Sequence, residues 1–153
     1  MVFGLARQPH EQGDLQMNDV VVGVDTSDTA RRAAVAAAEL ASAYSVNLHI
    51  VTCAQASSAL NVGIGSESMH SDWVSEAASF LKELARGLPH DQITTAVKSG
   101  DPAGTICDEA KRLDARAIVV GNRRVQGVSR VLGSVASQVL KKATCDVLIS
   151  YTK

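Results

Sequence analysis

The chain has 153 residues, a length typical of one domain, and its formal net charge of −1 gives no basic field for nucleic acid. Hydrophobic residues make up 46% of it and aromatic residues only 3%, which favours a core of helices and parallel strands rich in Ala and Val. Its three widely spaced cysteines argue against a disulfide framework or a cysteine-based zinc site. No apolar run approaches the ~20 residues of a membrane-spanning helix, and no secretory signal is evident. We therefore expect a soluble cytoplasmic protein with neither a membrane nor a nucleic-acid partner.

The first 18 residues predict a flexible tail, and residues 19–153 predict the folded domain. The tail mixes polar and charged residues with Gly4, Pro9 and Gly13, and it shows no sustained hydrophobic period. Met17 stands directly before the folded part. The tail is therefore explained equally well by an extended start site and by a docking segment.

Beyond the tail, predicted strands and helices alternate. Caps at residues 26–28 begin the first helix, and Gly87 and Pro89 end the second. The predicted strands are residues 20–24, 47–53, 93–97, 117–120 and 147–151, and the predicted helices are residues 28–44, 67–86, 103–113 and 134–142. Such alternation requires right-handed crossovers. It predicts a doubly wound α/β sandwich with a five-stranded, mostly parallel sheet in the order 3-2-1-4-5 and helices on both faces.

Residues 119–135 carry the strongest functional pattern, a buried strand followed by a basic, glycine-containing loop and the start of a helix. Gly121 lets the chain leave the sheet where a side chain would obstruct a ligand. Gly133 and Ser134 open a helix whose N–H groups and dipole favour an anion. The intervening loop contains three arginines that an anion would neutralise: Arg123, Arg124 and Arg130. The pattern indicates a phosphate site, and the alternative is a solvated basic loop.

Asp25 follows the first strand, and in this strand order it faces the end of the fourth strand across one cleft. Its carboxylate can accept hydrogen bonds from a ribose hydroxyl or an adenine amine. Alternatively, it satisfies the N–H groups of the loop before the first helix.

Residues 20–28 and 121–135 resemble the universal stress protein family, and the likeness extends through Gly100-Asp101-Pro102 and residues 145–149. The resemblance implies a doubly wound α/β sandwich, homodimers paired through the last strand and, in one branch, binding of ATP or AMP. The implied adenosine contacts are Gly23, Val24, Asp25, Val51 and Val120. The implied phosphate contacts are Gly121, Gly133, Ser134 and Val135.

The phosphate loop departs from the pattern of the nucleotide-binding branch. Arg124 occupies the position of the second glycine, and eight residues instead of nine separate it from Gly133. Arg124 either points away or brings a guanidinium to the phosphates, and Gly127 supplies the backbone freedom of the missing glycine. The retained Gly133-Ser134 pair favours nucleotide binding.

Catalysis has no support from sequence motifs. The chain lacks a phosphate-binding Lys loop, a kinase signature, a serine-nucleophile elbow and a zinc-binding helix, so we predict no catalytic residue and no protein-held metal. The four histidines are interpreted as surface or satisfied polar residues. Asp25 could help to hold Mg²⁺ on ATP phosphates, and slow hydrolysis would need only an oriented water. Residues 59–69 could form a lid over the ligand.

The last strand lies at the predicted sheet edge, where a two-fold copy would pair its open backbone groups. The leading hypothesis is a homodimeric stress-response protein in which bound ATP or AMP tunes contacts with unknown protein partners. The alternative is a nucleotide-free dimeric interaction scaffold of the same fold, and an enzyme acting on phosphate ranks third.

Overall fold

The computed structural model describes residues 18–54, 66–123 and 132–152. The strands are β1 (Val20–Gly23), β2 (Leu48–Ala54), β3 (Ile93–Ser99), β4 (Ala117–Arg123) and β5 (Asp146–Thr152). The helices are α1 (Asp28–Tyr44), α2 (Ser66–Arg86), α3 (Pro102–Arg112) and α4 (Ser134–Lys142). The predicted α/β fold is confirmed. The largest boundary error concerns β4, which continues three residues past the predicted end because its pairing with β5 extends to Arg123.

The five strands form one sheet in the predicted order, β3-β2-β1-β4-β5, and every neighbouring pair is parallel. The chain leaves β1 towards β2 on one side and later returns to β4 on the other side. The order therefore reverses between β1 and β4, which makes this point the topological switch of the sheet. The loops that follow β1 and β4 leave from adjacent strand ends.

Helix α1 lies close to one face of the sheet because its buried side is made of alanine. Its N-cap, Ser27, accepts a hydrogen bond from the Ala30 N–H, and its end is marked by Ser45 in the left-handed conformation at φ 56°. Leu81 and Leu84 of α2 complete this side of the core. The buried alanines of α1 are Ala30, Ala33, Ala34, Ala37, Ala38 and Ala41. Small side chains of this kind let a helix backbone approach the strands.

Helices α3 and α4 cover the other face. Ile106 of α3 and Val139 of α4 are buried against the strands. Asp101, the N-cap of α3, accepts a hydrogen bond from the Gly104 N–H at 2.8 Å and a second one from the Lys142 side chain of α4 at 3.2 Å. No helix within the described ranges has both the length and the apolar character that crossing a membrane requires. The two covered faces leave the strand ends as the place where loops can form a site.

Candidate functional site

The carboxyl ends of three central strands lie side by side and bring most of the predicted adenosine contacts together. Gly23 at the end of β1 pairs with Val51 of β2, and the Val24 N–H donates to the Val51 carbonyl oxygen at 2.9 Å. Strand β4 pairs with the other side of β1, so Val120 and Gly121 lie next to this end. Backbone pairing therefore places one candidate site across β2, β1 and β4.

Asp25 lies exposed directly after β1, and its carboxylate shapes the turn into α1. The Asp25 Oδ1 atom accepts a hydrogen bond from the Ser27 N–H at 2.9 Å, and Ser27 in turn caps the helix. The structure thus shows the local role that the sequence left open for this carboxylate. A role towards a ligand would be additional to that turn.

Asn122, which sequence analysis did not single out, links the end of β4 to the start of α4. The residue is only 4% exposed, and its Oδ1 atom accepts a hydrogen bond from the Gly133 N–H at 2.8 Å. This bond spans eleven positions of the chain and fixes the head of α4 beside the sheet. A polar residue two positions after an apolar run was the available indication in the sequence, but only the fold shows its partner.

The structure gives a packing reason for two of the glycines in the site. A Cβ at Gly23 would collide with the Ile106 side chain of α3. A Cβ at Gly121 would lie 2.9 Å from the Thr29 Cγ2 and 3.1 Å from the Thr29 carbonyl oxygen of α1. Helix packing therefore already explains both glycines. At Gly121 we had expected the missing side chain to leave room for a ligand instead.

Gly133 has no such explanation among the described residues. Its φ of −60° and ψ of 159° suit any residue, and a Cβ would meet only the Asn122 Oδ1 atom, at 3.4 Å. The position is exposed and serves as the N-cap of α4 without a capping side chain. The missing side chain leaves open space over the start of the helix.

The first turn of α4 contains two of the predicted phosphate contacts, Ser134 and Val135. It contains no acidic residue, and the exposed Ser134 and Val135 supply the first helical N–H groups. Because Asn122 accepts the Gly133 N–H, an anion would have to bind the N–H groups that follow it. The remaining predicted phosphate residues, Arg124, Gly127 and Arg130, lie outside the described residues, as does the Arg123 side chain.

Comparison with known proteins shows that the sequence model of the universal stress protein family matches residues 17–150 of this chain. The chain belongs to the universal stress protein family. The universal stress protein MJ0531 of Methanocaldococcus jannaschii is 27% identical over 90% of this chain and 84% of its own length. The universal stress protein Sll1388 of Synechocystis is 38% identical over 48% of this chain, and the match spans half of that protein.

Solved universal stress proteins are similar in fold over most of this chain. UspA from Lactobacillus plantarum superposes with a TM-score of 0.69 at 25% identity, covering 88% of this chain and 97% of that one. A universal stress protein in complex with cAMP gives a TM-score of 0.67 at 25% identity, covering 89% and 98%. One from Archaeoglobus fulgidus in complex with dAMP gives 0.55 at 27% identity, covering 86% and 96%. Two of these relatives were therefore solved with an adenine nucleotide bound.

In the described part of this universal stress protein, no three His, Cys, Asp or Glu side chains are grouped as metal ligands. Burial raises the pKa values of the Cys53, Cys107 and Cys145 thiols, which are unlinked and suit reduced core positions.

His90 contacts Ser42 Oγ and the carbonyl oxygen of Val46, each at 2.9 Å, and is a satisfied polar residue as predicted. The predicted lid overlaps α2 from Ser66 onward and otherwise lies outside the described residues.

Proposed function

We propose that this universal stress protein binds an adenine nucleotide, ATP or AMP, and acts as a regulatory homodimer in a stress response. The observation that supports nucleotide binding most directly is Gly133, which neither its backbone geometry nor packing against the described residues requires to be glycine. A glycine at a helix start leaves room for a ligand to approach the first helical N–H groups closely. The relatives in complex with cAMP and dAMP point to the same ligand class.

The proposed binding mode divides the ligand between two parts of the site. Adenosine would lie along the strand ends at Val24, Val51 and Val120, with the Asp25 carboxylate accepting hydrogen bonds from a hydroxyl or an amine. The phosphates would lie at the start of α4, where Ser134 and Val135 supply backbone N–H groups. Mg²⁺ would accompany the phosphates, because it binds one or two carboxylates and completes its shell with phosphate oxygens and water.

Calorimetric titration of nucleotide-stripped protein with ATP, AMP and cyclic AMP, with and without Mg²⁺, tests the proposal. Gly133→Val places a side chain over the helix start and should abolish binding while the fold stays intact. Gly87→Val is the matched control, since the nearest atom to a Cβ at Gly87 is the Leu84 carbonyl oxygen at 3.6 Å. Binding that survives in Gly133→Val, or that is lost equally in both variants, would contradict the proposed site.

The homodimer proposal concerns β5, the edge strand beside β4. Leu148 and Tyr151 on this strand are 41% and 43% exposed, which is high for large apolar side chains in a sheet. Pairing with the same strand of a second copy would cover them and satisfy the open backbone groups. Sedimentation analysis should show a dimer that Leu148→Lys dissociates. The control is Val35→Lys at an equally exposed apolar position of α1.

A titration without binding would favour the alternative function, a nucleotide-free dimeric interaction scaffold. Arg124 in place of a glycine and the shortened loop favour that alternative, because both change the backbone that would surround the phosphates. A stable dimer that gives no heat and no thermal shift with any of the nucleotides would establish it. Unidentified protein partners would then act without a nucleotide signal.

A further inference from the structure

A hydroxyl, an imidazole and a carboxylate form a continuous hydrogen-bonded chain near the amino end of the sheet. Thr94 Oγ1 on β3 lies 2.7 Å from His49 Nδ1 on β2, and His49 Nε2 lies 3.1 Å from Glu109 Oε2 on α3. His49 and Glu109 are 4% and 5% exposed, whereas Thr94 is exposed on an edge strand. We call these three residues the Thr94 relay. It lies at the opposite end of the strands from the proposed nucleotide site and is independent of it.

The charges around the relay determine which imidazole nitrogen holds the proton. Arg112 and Lys98 lie 2.7 Å and 3.1 Å from Glu109, and hydrogen bonds from these two cations lower the pKa of its carboxyl to about 2. Glu109 is therefore ionised and accepts the His49 Nε2–H. Neutral His49 then presents the lone pair of Nδ1 to the Thr94 hydroxyl, which donates to it.

His49 also stays neutral at physiological pH. Burial lowers its pKa below the usual 6.5 and outweighs the opposite effect of Glu109. The other charged groups that face it are Arg112 of α3, which lowers the pKa, and Asp19 before β1, which raises it. A neutral imidazole with its free electron pair on a hydroxyl is the arrangement that general-base catalysis needs.

We propose that Thr94 is a nucleophile that accepts acyl groups from activated carboxylic esters, with His49 as its general base and Glu109 as a positioning residue. The Thr94 Oγ attacks the ester carbonyl carbon, and its proton moves to His49 Nδ1 as the new O–C bond forms. The tetrahedral intermediate then expels the alcohol oxygen, which takes that proton from His49. The products are the Thr94 ester and the free alcohol, so atoms and charges balance.

Acyl transfer fits the surroundings of Thr94 better than phosphoryl transfer does. Phosphoryl transfer depends on cations that clamp the phosphate, but Lys98 and Arg112 are engaged by the Glu109 carboxylate. The Leu48 N–H donates to the Gln92 carbonyl oxygen. Because alternate residues of a parallel strand bond to the same neighbour, Gln92, Thr94 and every second residue after them face β2 with their backbone groups. The Thr95 N–H therefore points away from β2, to the edge of the sheet where no described strand pairs with β3. It lies beside Thr94, where it can bind a developing oxyanion.

Incubation with p-nitrophenyl acetate, followed by p-nitrophenolate release, intact mass and peptide mapping, tests the proposal. One acetyl group should appear on Thr94. Thr94→Val should abolish it and Thr94→Ser should retain it. Thr95→Val is the matched control on the neighbouring exposed residue of β3 and keeps the backbone N–H. Acetyl groups confined to lysines, or acetylation unchanged in Thr94→Val, would overturn the proposal.

His49→Gln tests the base, because a side-chain amide can occupy the site and still form hydrogen bonds. The rate of Thr94 acetylation should fall about 100-fold, which is the lower range for loss of general-base catalysis. In the parent protein the rate should rise with pH around a midpoint below 6.5 and then level off. Lysine acetylation would instead keep rising towards the lysine pKa of ~10.4. A rate that His49→Gln leaves unchanged in a folded protein would refute the role of His49.

Discussion

Replacing Glu109 with Gln removes a buried negative charge that Lys98, Arg112 and His49 share. The carboxylate is almost fully inaccessible, and each of the three partners lies within 3.1 Å of one of its oxygens. A Gln at this position keeps the size of the side chain and some hydrogen bonds, but it leaves two cations without their counter-charge. We expect a loss of stability that depends on pH in a defined direction.

The size of the effect follows from the Glu109 carboxyl, whose pKa falls from the ordinary 4.5 to about 2. At 1.36 kcal/mol per unit of pKa, the ionised carboxylate contributes at most about 3 kcal/mol to the free energy of unfolding. The Lys98 and Arg112 side chains are 43% and 56% exposed, so solvent screens them. We therefore expect Glu109→Gln to cost about 2 kcal/mol near neutral pH.

The sign follows from the lowered pKa of Glu109. A carboxyl with a folded pKa below its unfolded value stabilises the fold above about pH 4.5, and this contribution disappears as the pH falls towards about 2. His49 has a lowered pKa as well, so its neutral form stabilises the fold above about pH 6.5 and protonation removes that contribution at lower pH. The parent protein should therefore lose stability on acidification.

Urea unfolding, followed by the fluorescence of the single tryptophan, measures these differences between about pH 7 and about pH 3. The gap between the parent protein and Glu109→Gln should be largest near neutrality and shrink below about pH 4.5. Nuclear magnetic resonance should also show a lower His49 pKa in the variant, because Glu109 raises it in the parent. A gap that stays constant across this range would refute the argument.

Three further predictions concern packing and helix starts. Gly23→Ala places a Cβ 2.8 Å from the Ile106 Cγ1, and urea unfolding should show a loss of about 2 kcal/mol in the free energy of unfolding. The double variant Gly23→Ala/Ile106→Ala should lose less than the sum of the two single variants, because Ile106→Ala removes the clashing atoms. Simple additivity would contradict the clash. Ser27→Ala removes the cap of α1 and should cost about 1 kcal/mol in thermal unfolding, whereas an unchanged melting temperature would exclude a stabilising cap. Asn122→Ala should speed amide exchange at Gly133, and protection equal to that of the parent would show that their hydrogen bond does not hold the head of α4.

The architecture could be predicted from local features of the chain. Apolar runs at strand length, the alanine-rich pattern of α1 and its cap Ser27 act over a few residues, so their structural meaning does not depend on distant partners. Their alternation constrained the connections to right-handed crossovers and thereby the sheet. The structure confirms the predicted strand order 3-2-1-4-5.

Contacts between distant segments were decided only by the tertiary structure. The hydrogen bond from Gly133 to Asn122 and the Thr94 relay depend on strand register and on the way helices pack on the sheet. Packing likewise explains why Gly23 lacks a side chain. The sequence therefore determined the elements and their order, because short-range geometry governs them. The tertiary structure determined which polar groups meet, because that requires distances between residues far apart in the chain.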